Sequence, residues 1–461
     1  MFGFGESMHL REIKIRHIRS IRALDWSLDE HEPSAGWHVI VGDNGSGKSS
    51  LLRSVALALI GPKDAPGLRS PWEDWLRKES VEGSVELRIV RNLKCDVLTQ
   101  GGQPPKAPTL DLGLKFVRTM LIHNKSSRKD QKVSIPSDSV TLVAMNTRTK
   151  PDRHAWGTGV GWFSAAYGPF RRFTGGDPDF RYMSLRFPRL ARYLSIFDER
   201  VALTESLEWL RDLKFKSLEK VTKSHPTAGS VLLPAVIGFI NQEDFLPFHA
   251  HLQEITSDSV QFLDGNGQEV RIEDLSDGYR SILSMTFELI RQLVTVYGPD
   301  GIFDPEDPGR VIAEGVVLID EIDVHLHPTW QRRIGFWFRK HFPNIQFLVT
   351  THSPLICPAA EVGSIFMLPR PGEIDPGERL RGSRLQRLIN GNVLDAYGTE
   401  VFGAEVTRSE PSKRRLRDLA ELNVKEVTGG LTGPEREEQS RLRAAMPTRS
   451  SIVGGGDDPN P

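Results

Sequence analysis

The chain has 461 residues, about three times the usual single-domain length, so one core with sizeable additions is expected. Lys and Arg number 59 against 60 Asp and Glu, which excludes a global field of the kind that marks a nucleic-acid or membrane binder; any such contact must come from a local patch. Cys95 and Cys357 are too few for a disulfide framework or a zinc site, no apolar leader follows Met1, and no apolar run approaches the roughly 20 residues of a membrane span, so a soluble cytoplasmic protein is expected.

Apolar and basic residues alternate from Leu10 to Leu28, the pattern of a hairpin with one buried face. Trp37 to Val41 is a short apolar run, and Ser49 to Ile60 reads as a helix. Between them stands Gly42-Asp43-Asn44-Gly45-Ser46-Gly47-Lys48-Ser49, a full G-x-x-x-x-G-K-S in the strand-loop-helix context the motif requires. Its glycines let backbone N–H groups face the β- and γ-phosphates of a nucleotide, the helix N-terminus adds positive potential, Lys48 supplies a point charge, and Ser49 offers a hydroxyl to Mg²⁺. Ser50 completes the phosphate-side set.

Ser84 to Val90 reads as a further strand, followed by Pro-, Gly-, Lys- and Ser-rich sequence to about Asp138, with Asn124 to Lys132 expected as an exposed loop. Leu203 to Lys220 reads as a helix, and residues 96–264 as an insertion. Within it, Tyr167-Gly168-Pro169-Phe170-Arg171-Arg172-Phe173 admits two readings, a loop packed on the core or arginines that contact phosphate. Ser276 to Val296 is a long predicted helix and Tyr297 to Gly309 a loop. Val311 to Ile319 and Ile345 to Thr350 have the composition of buried parallel strands, joined by a crossover helix from Trp330 to His341. The first ends in Asp320-Glu321, which assigns Asp320 to Mg²⁺ and Glu321 to the attacking water as general base. His325 and His327 have no further ligand at zinc spacing. Residues 376–445 are charged and helical in character, with Lys413, Arg414, Arg415 and Arg417 either a solvated helix face or a partner contact; Ser450 to Pro461 is expected to be disordered.

Leu275-Ser276-Asp277-Gly278-Tyr279-Arg280-Ser281 resembles the ABC signature, Leu326-His327 falls where a D-loop lies, and Thr350-Thr351-His352-Ser353-Pro354 resembles a switch-histidine segment. With the motif order throughout, the chain resembles bacterial ABC-type AAA family ATPases with RecF-, SMC- and OLD-like heads, above all the group that includes PtuA of the Septu system and retron-associated ATPases. The resemblance covers about half the chain. It implies an α/β P-loop NTPase of ABC type with a mixed sheet, a long α-rich insertion and a helical C-terminal extension. The corresponding division is a head in two halves, 8–95 and 265–375, around the insertion 96–264, then an extension 376–445 and a tail 446–461.

Several roles follow from the resemblance alone. Ser276 and Gly278 would complete the pocket of the opposite protomer in an ATP-sandwich homodimer, although the segment taken by itself reads more readily as a plain helix with Ser276 as N-cap. His352 would sense the γ-phosphate, and Arg19 would lie near the phosphates unless it is ordinary surface charge. A Q-loop glutamine is expected between Ser84 and Arg172, where Gln100, Gln103 and Gln131 leave the position unassigned. The implied function is an ATPase whose head closure controls an effector, an HNH-type nuclease in antiphage defence. The alternatives are a RecF-like repair ATPase acting directly on DNA and, less in keeping with the insertion, a transporter subunit. Larger oligomers and contact with DNA or RNA stay open. The tail after His352 lacks an acidic Toprim-type cluster, so no nuclease activity is expected in this chain, and no heptad arm separates the head halves.

Overall fold

The alternation near the N-terminus forms the first sheet. In the computed structural model, which describes residues 8–69, 71–90, 108–126, 132–147, 149, 151–156, 162–218, 228–391, 401 and 410–445, β1 (His9–Ile18) pairs antiparallel with β2 (Ile21–Ser27). Ile13 stands opposite Trp26 and Ile15 opposite Leu24, and this inward row is buried. β4 (Glu82–Val90), β5 (Thr109–Ser126) and β6 (Lys132–Ala144) extend the sheet in the order β2-β1-β4-β5-β6.

The apolar runs form the second sheet. β3 (Gly36–Val41), β11 (Gly315–Ile319) and β12 (Ile345–Thr350) are buried at every residue, as strands covered on both faces must be. With β7 (Ser164–Tyr167), β13 (Gly363–Met367) and β14 (Glu378–Arg379) they give the order β14-β13-β3-β12-β11-β7, parallel except at β14. A three-stranded meander of β8 (His251–Ile255), β9 (Val260–Leu263) and β10 (Glu269–Arg271) precedes the long helix.

The helices are α1 (Lys48–Ile60), the one-turn α2 (Pro151–His154), α3 (Pro178–Arg186), α4 (Pro188–Phe197), α5 (Glu205–Leu218), α6 (Ala228–Ile240), α7 (Asp277–Tyr297), α8 (Pro328–His341) and α9 (Gly382–Asn390). α1 lies in the core cluster that it shares with β1, β4 and β5, with Leu51, Leu52, Val55 and Leu59 all at most 1% exposed. All of this falls in one compact unit, Met1–Val393. The second unit, Leu394–Pro461, contains α10 (Glu410–Thr428) and α11 (Gly433–Ala445); Leu419 and Leu442 are buried, and Gln439 Nε2 donates to Asn423 and Glu426.

The span 96–264 contributes β5 and β6 to the first sheet, β7 to the second and β8 and β9 to the meander, and it carries helices α3 to α6. The exposed loop expected from Asn124 to Lys132 is corrected: residues 124–126 and 132 belong to strands, because β5 pairs with β6 out to Ser126 opposite Lys132. The tail 446–461 lies outside the described residues. Among the described residues no helix is long and apolar enough to cross a membrane.

Candidate nucleotide site

Register brings the motifs to one edge. β3, β12 and β11 are adjacent parallel strands with Ile40 opposite Thr350 and Val349 opposite Ile319, so the loop after Val41, the Asp320-Glu321 pair and His352 all leave the sheet at its carboxyl ends. In open α/β sheets that crevice is where ligands bind.

The glycines of the first loop are needed for shape. Gly45 and Gly47 have φ of +81° and +104°, the left-handed region that glycine enters without strain. A Cβ on Gly47 would lie 2.8 Å from Ser20 Oγ, and one on Gly42 would lie 2.7 Å from Ser46 Oγ. Helix α1 starts at Lys48 with no side-chain cap and no acid in its first turn, so its N–H groups and dipole stay uncompensated. Ser46 Oγ is buried without a hydrogen-bond partner. Lys48 is 6% exposed, and its Nζ donates to the carbonyls of Gly42 at 2.7 Å and Asp43 at 3.0 Å. Burial lowers the ammonium's pKa, against the pull of Glu321, Asp320, Asp43 and Asp323. An uncapped helix end, an orphaned hydroxyl and a cation held only by carbonyls make a fit for an anion.

Thr350 organises the facing wall. Its Oγ1 donates to Asp320 Oδ1 at 2.6 Å and accepts from the Glu321 N–H at 2.8 Å. Asp320 is 1% exposed, and Glu321 sits at φ +47°, unusual for a residue with a side chain. Thr351 Oγ1 donates to Asp323 Oδ1 at 2.5 Å, fixing the next acid. A buried carboxylate fixed by a threonine hydroxyl is an oxygen donor suited to Mg²⁺. His352 is exposed at the rim; partial desolvation and then the Lys48 charge lower its pKa, while Asp323, Glu321 and Asp320 oppose. The imidazole therefore lies within electrostatic range of the cradle and both acids.

Other expected residues lie elsewhere. The Arg19 guanidinium pairs with Asp74 at 3.0 Å and covers the Trp75 ring at 4.9 Å, although its turn abuts the cradle through Ser20. Ser276 is the N-cap position of α7 without a side-chain cap bond, and a Cβ on Gly278 would meet the His325 carbonyl at 2.8 Å, so Gly278 sits against the turn that follows Asp323. His327 caps α8, accepting from the Thr329 N–H. Gln100, Gln103 and Gln131 lie outside the described residues.

Arg171 was missed as a site residue. It is 4% exposed, and its Nη1 donates to the carbonyls of Gly168 and Asp320, both at 2.9 Å. The packed-loop reading fits its burial, but the bond to the Asp320 carbonyl lies beyond either reading. The turn-rich stretch with paired arginines was the available signal, but sequence alone does not say which strands it adjoins.

A family profile described as AAA domain, putative AbiEii toxin, Type IV TA system, matches residues 125–357, half of the chain, and an AAA domain profile matches residues 12–139. The chain belongs to the AAA domain family. Within that family it is 36% identical over 381 residues to the retron Vc95 probable ATPase of Vibrio cholerae, covering 76% of this chain and 71% of that protein. It is 25% identical over 441 residues to the Septu protein PtuA of Bacillus mycoides, covering 92% of this chain but only 51% of the longer relative. Among solved structures it is similar to an Smc head bound to the C-terminal winged-helix domain of ScpA, at 13% identity and a TM-score of 0.45, covering 81% of this chain and 98% of that one.

Proposed function

We propose that this chain binds ATP with Mg²⁺ and hydrolyses it when two heads close on each other, and that closure controls an effector. The observation that carries the reading is the convergence of Lys48, Asp320, Glu321 and His352 at the carboxyl ends of three adjacent parallel strands. Gly42 to Ser50 would hold the phosphates, Ser49 and Asp320 the Mg²⁺, and Glu321 would orient and deprotonate the attacking water. When bound, Mg²⁺ supplies charge neutralisation along the phosphates.

Ser276 and Gly278, placed on a helix N-terminus and on a different element from the cradle, would cap the nucleotide of a second copy. That arrangement makes each site incomplete in a single chain. The likeness to a Septu protein and a retron probable ATPase is in keeping with the defence role that the sequence resemblance implies, in which the controlled partner would be a nuclease. Lys48→Ala tests the site directly: nucleotide binding and turnover are both expected to vanish in an equilibrium binding and steady-state assay, and full ATPase activity in that variant would refute the assignment.

A further inference from the structure

We propose that Arg171 is a positioning residue that fastens the Asp320-Glu321 turn to helix α7, so that closure of the heads and alignment of Glu321 are one mechanical event; this rests on the ATPase reading above.

The segment carrying Arg171 is tied to both elements. Tyr167 ends β7, and its carbonyl accepts the Asp320 N–H at 2.8 Å, so the chain leaves β7 directly beside the acids. Gly168 follows, where a Cβ would fall 2.1 Å from the Ser195 carbonyl, which forces the close approach that aims the next residues inward. Phe173 lies against Phe287 of α7, ring centroids 6.3 Å apart.

The guanidinium then bridges the two. Nη1 donates to the Asp320 carbonyl at 2.9 Å, Nη2 to the Glu321 carbonyl at 3.2 Å, and Nε to Ser281 Oγ at 3.0 Å, with Ser281 1% exposed in the second turn of α7. Those two carbonyls fix the peptide planes of the very residues whose side chains face the cradle. The Nε bond is the one that leaves this neighbourhood, and it ends on the helix whose N-terminus bears Ser276 and Gly278.

Two features set this arrangement apart from ordinary packing. No carboxylate of the described residues lies within ion-pair distance of Arg171, so its N–H groups are taken by carbonyl and hydroxyl oxygens while the charges of Asp320, Asp323 and Glu321 act on it from farther off. Burying a cation in this way is expensive, and a lysine could not reproduce a planar fork that serves acceptors on three segments. Glu321 is also held at φ +47°, a backbone state that needs outside support. A shift of α7 on closure would pass through Ser281 and the rigid fork to the Glu321 peptide.

Ser281→Ala removes one acceptor and leaves the bonds to the acids intact. In the full chain it is expected to keep nucleotide affinity within about twofold while kcat falls about tenfold, and ATP-driven dimerisation of the Glu321→Gln protein should weaken in parallel. Arg171→Lys should show the same split, and the double variant should be no worse than Arg171→Lys alone. Wild-type kcat in Ser281→Ala, affinity falling in step with kcat, or losses that multiply in the double variant would each overturn the coupling. Absence of turnover in the unaltered chain would instead overturn the ATPase reading beneath it.

Discussion

Thr350 shows how much of the candidate chemistry hangs on a residue that takes no direct part in it. One hydroxyl, itself fully buried, bonds the buried Asp320 carboxylate and the Glu321 N–H at once. Thr350→Val keeps the volume but orphans both groups, so a loss of about 1–3 kcal/mol in denaturant unfolding is expected, together with a clear drop in kcat. Unchanged stability would mean that the two groups find other partners. Lys48, Asp320 and Glu321 were legible in the sequence because their motif spacing is itself the geometry: a loop of fixed length feeding a helix, and acids at the last position of a buried strand. Thr350 and Arg171 were not legible as partners of those acids, since their roles depend on which strands become neighbours, a fact of register that no local pattern encodes.

At the scale of elements, Gly278 and the buried histidines of the sheets carry the predictions. The N-terminus of α7 approaches the His325 turn so closely that Gly278→Ala must push them apart, the obstacle being a backbone carbonyl that cannot rotate away. ATP affinity should survive and turnover fall; turnover at the wild-type rate would show that the turn yields freely. His38 on β3 donates or accepts with Ser364 on β13 and with the Ser34 carbonyl, and burial lowers its pKa from 6.5 to about 4. The folded state thus binds its proton less readily than the unfolded chain. Stability from the neutral ring is complete above pH 6.5 and is lost as pH falls towards 4. His9 on β1, bonded to the Asn344 carbonyl, behaves likewise. Denaturant midpoints measured across that window should fall more steeply for the wild type than for His38→Gln, and parallel curves would remove His38 from the account. The β1-β2 hairpin and the all-apolar strands were readable because period and composition set them locally. The β5-β6 pair was hidden by polar residues along its far half, where strand pairing rather than composition holds the chain extended.

For the molecule as a whole, the central claim is that one chain holds only part of each active site. The cradle and acids lie at the carboxyl ends of one sheet, while Ser276 and Gly278 stand at the N-terminus of α7 and in the proposed dimer serve the nucleotide of a second copy. The near-balance of 59 basic and 60 acidic residues gives no sequence-wide reason for tight DNA binding. A RecF-like alternative demands strong, salt-dependent DNA affinity from the isolated chain, and weak affinity at moderate salt would favour control of a separate effector. The most direct test is the solution mass of Glu321→Gln with and without ATP and Mg²⁺, read by light scattering beside its rate of hydrolysis. The account predicts a dimer that appears only with nucleotide and turns over far more slowly than the wild type; a protein that stays monomeric when saturated with ATP and hydrolyses at the unaltered rate would contradict it.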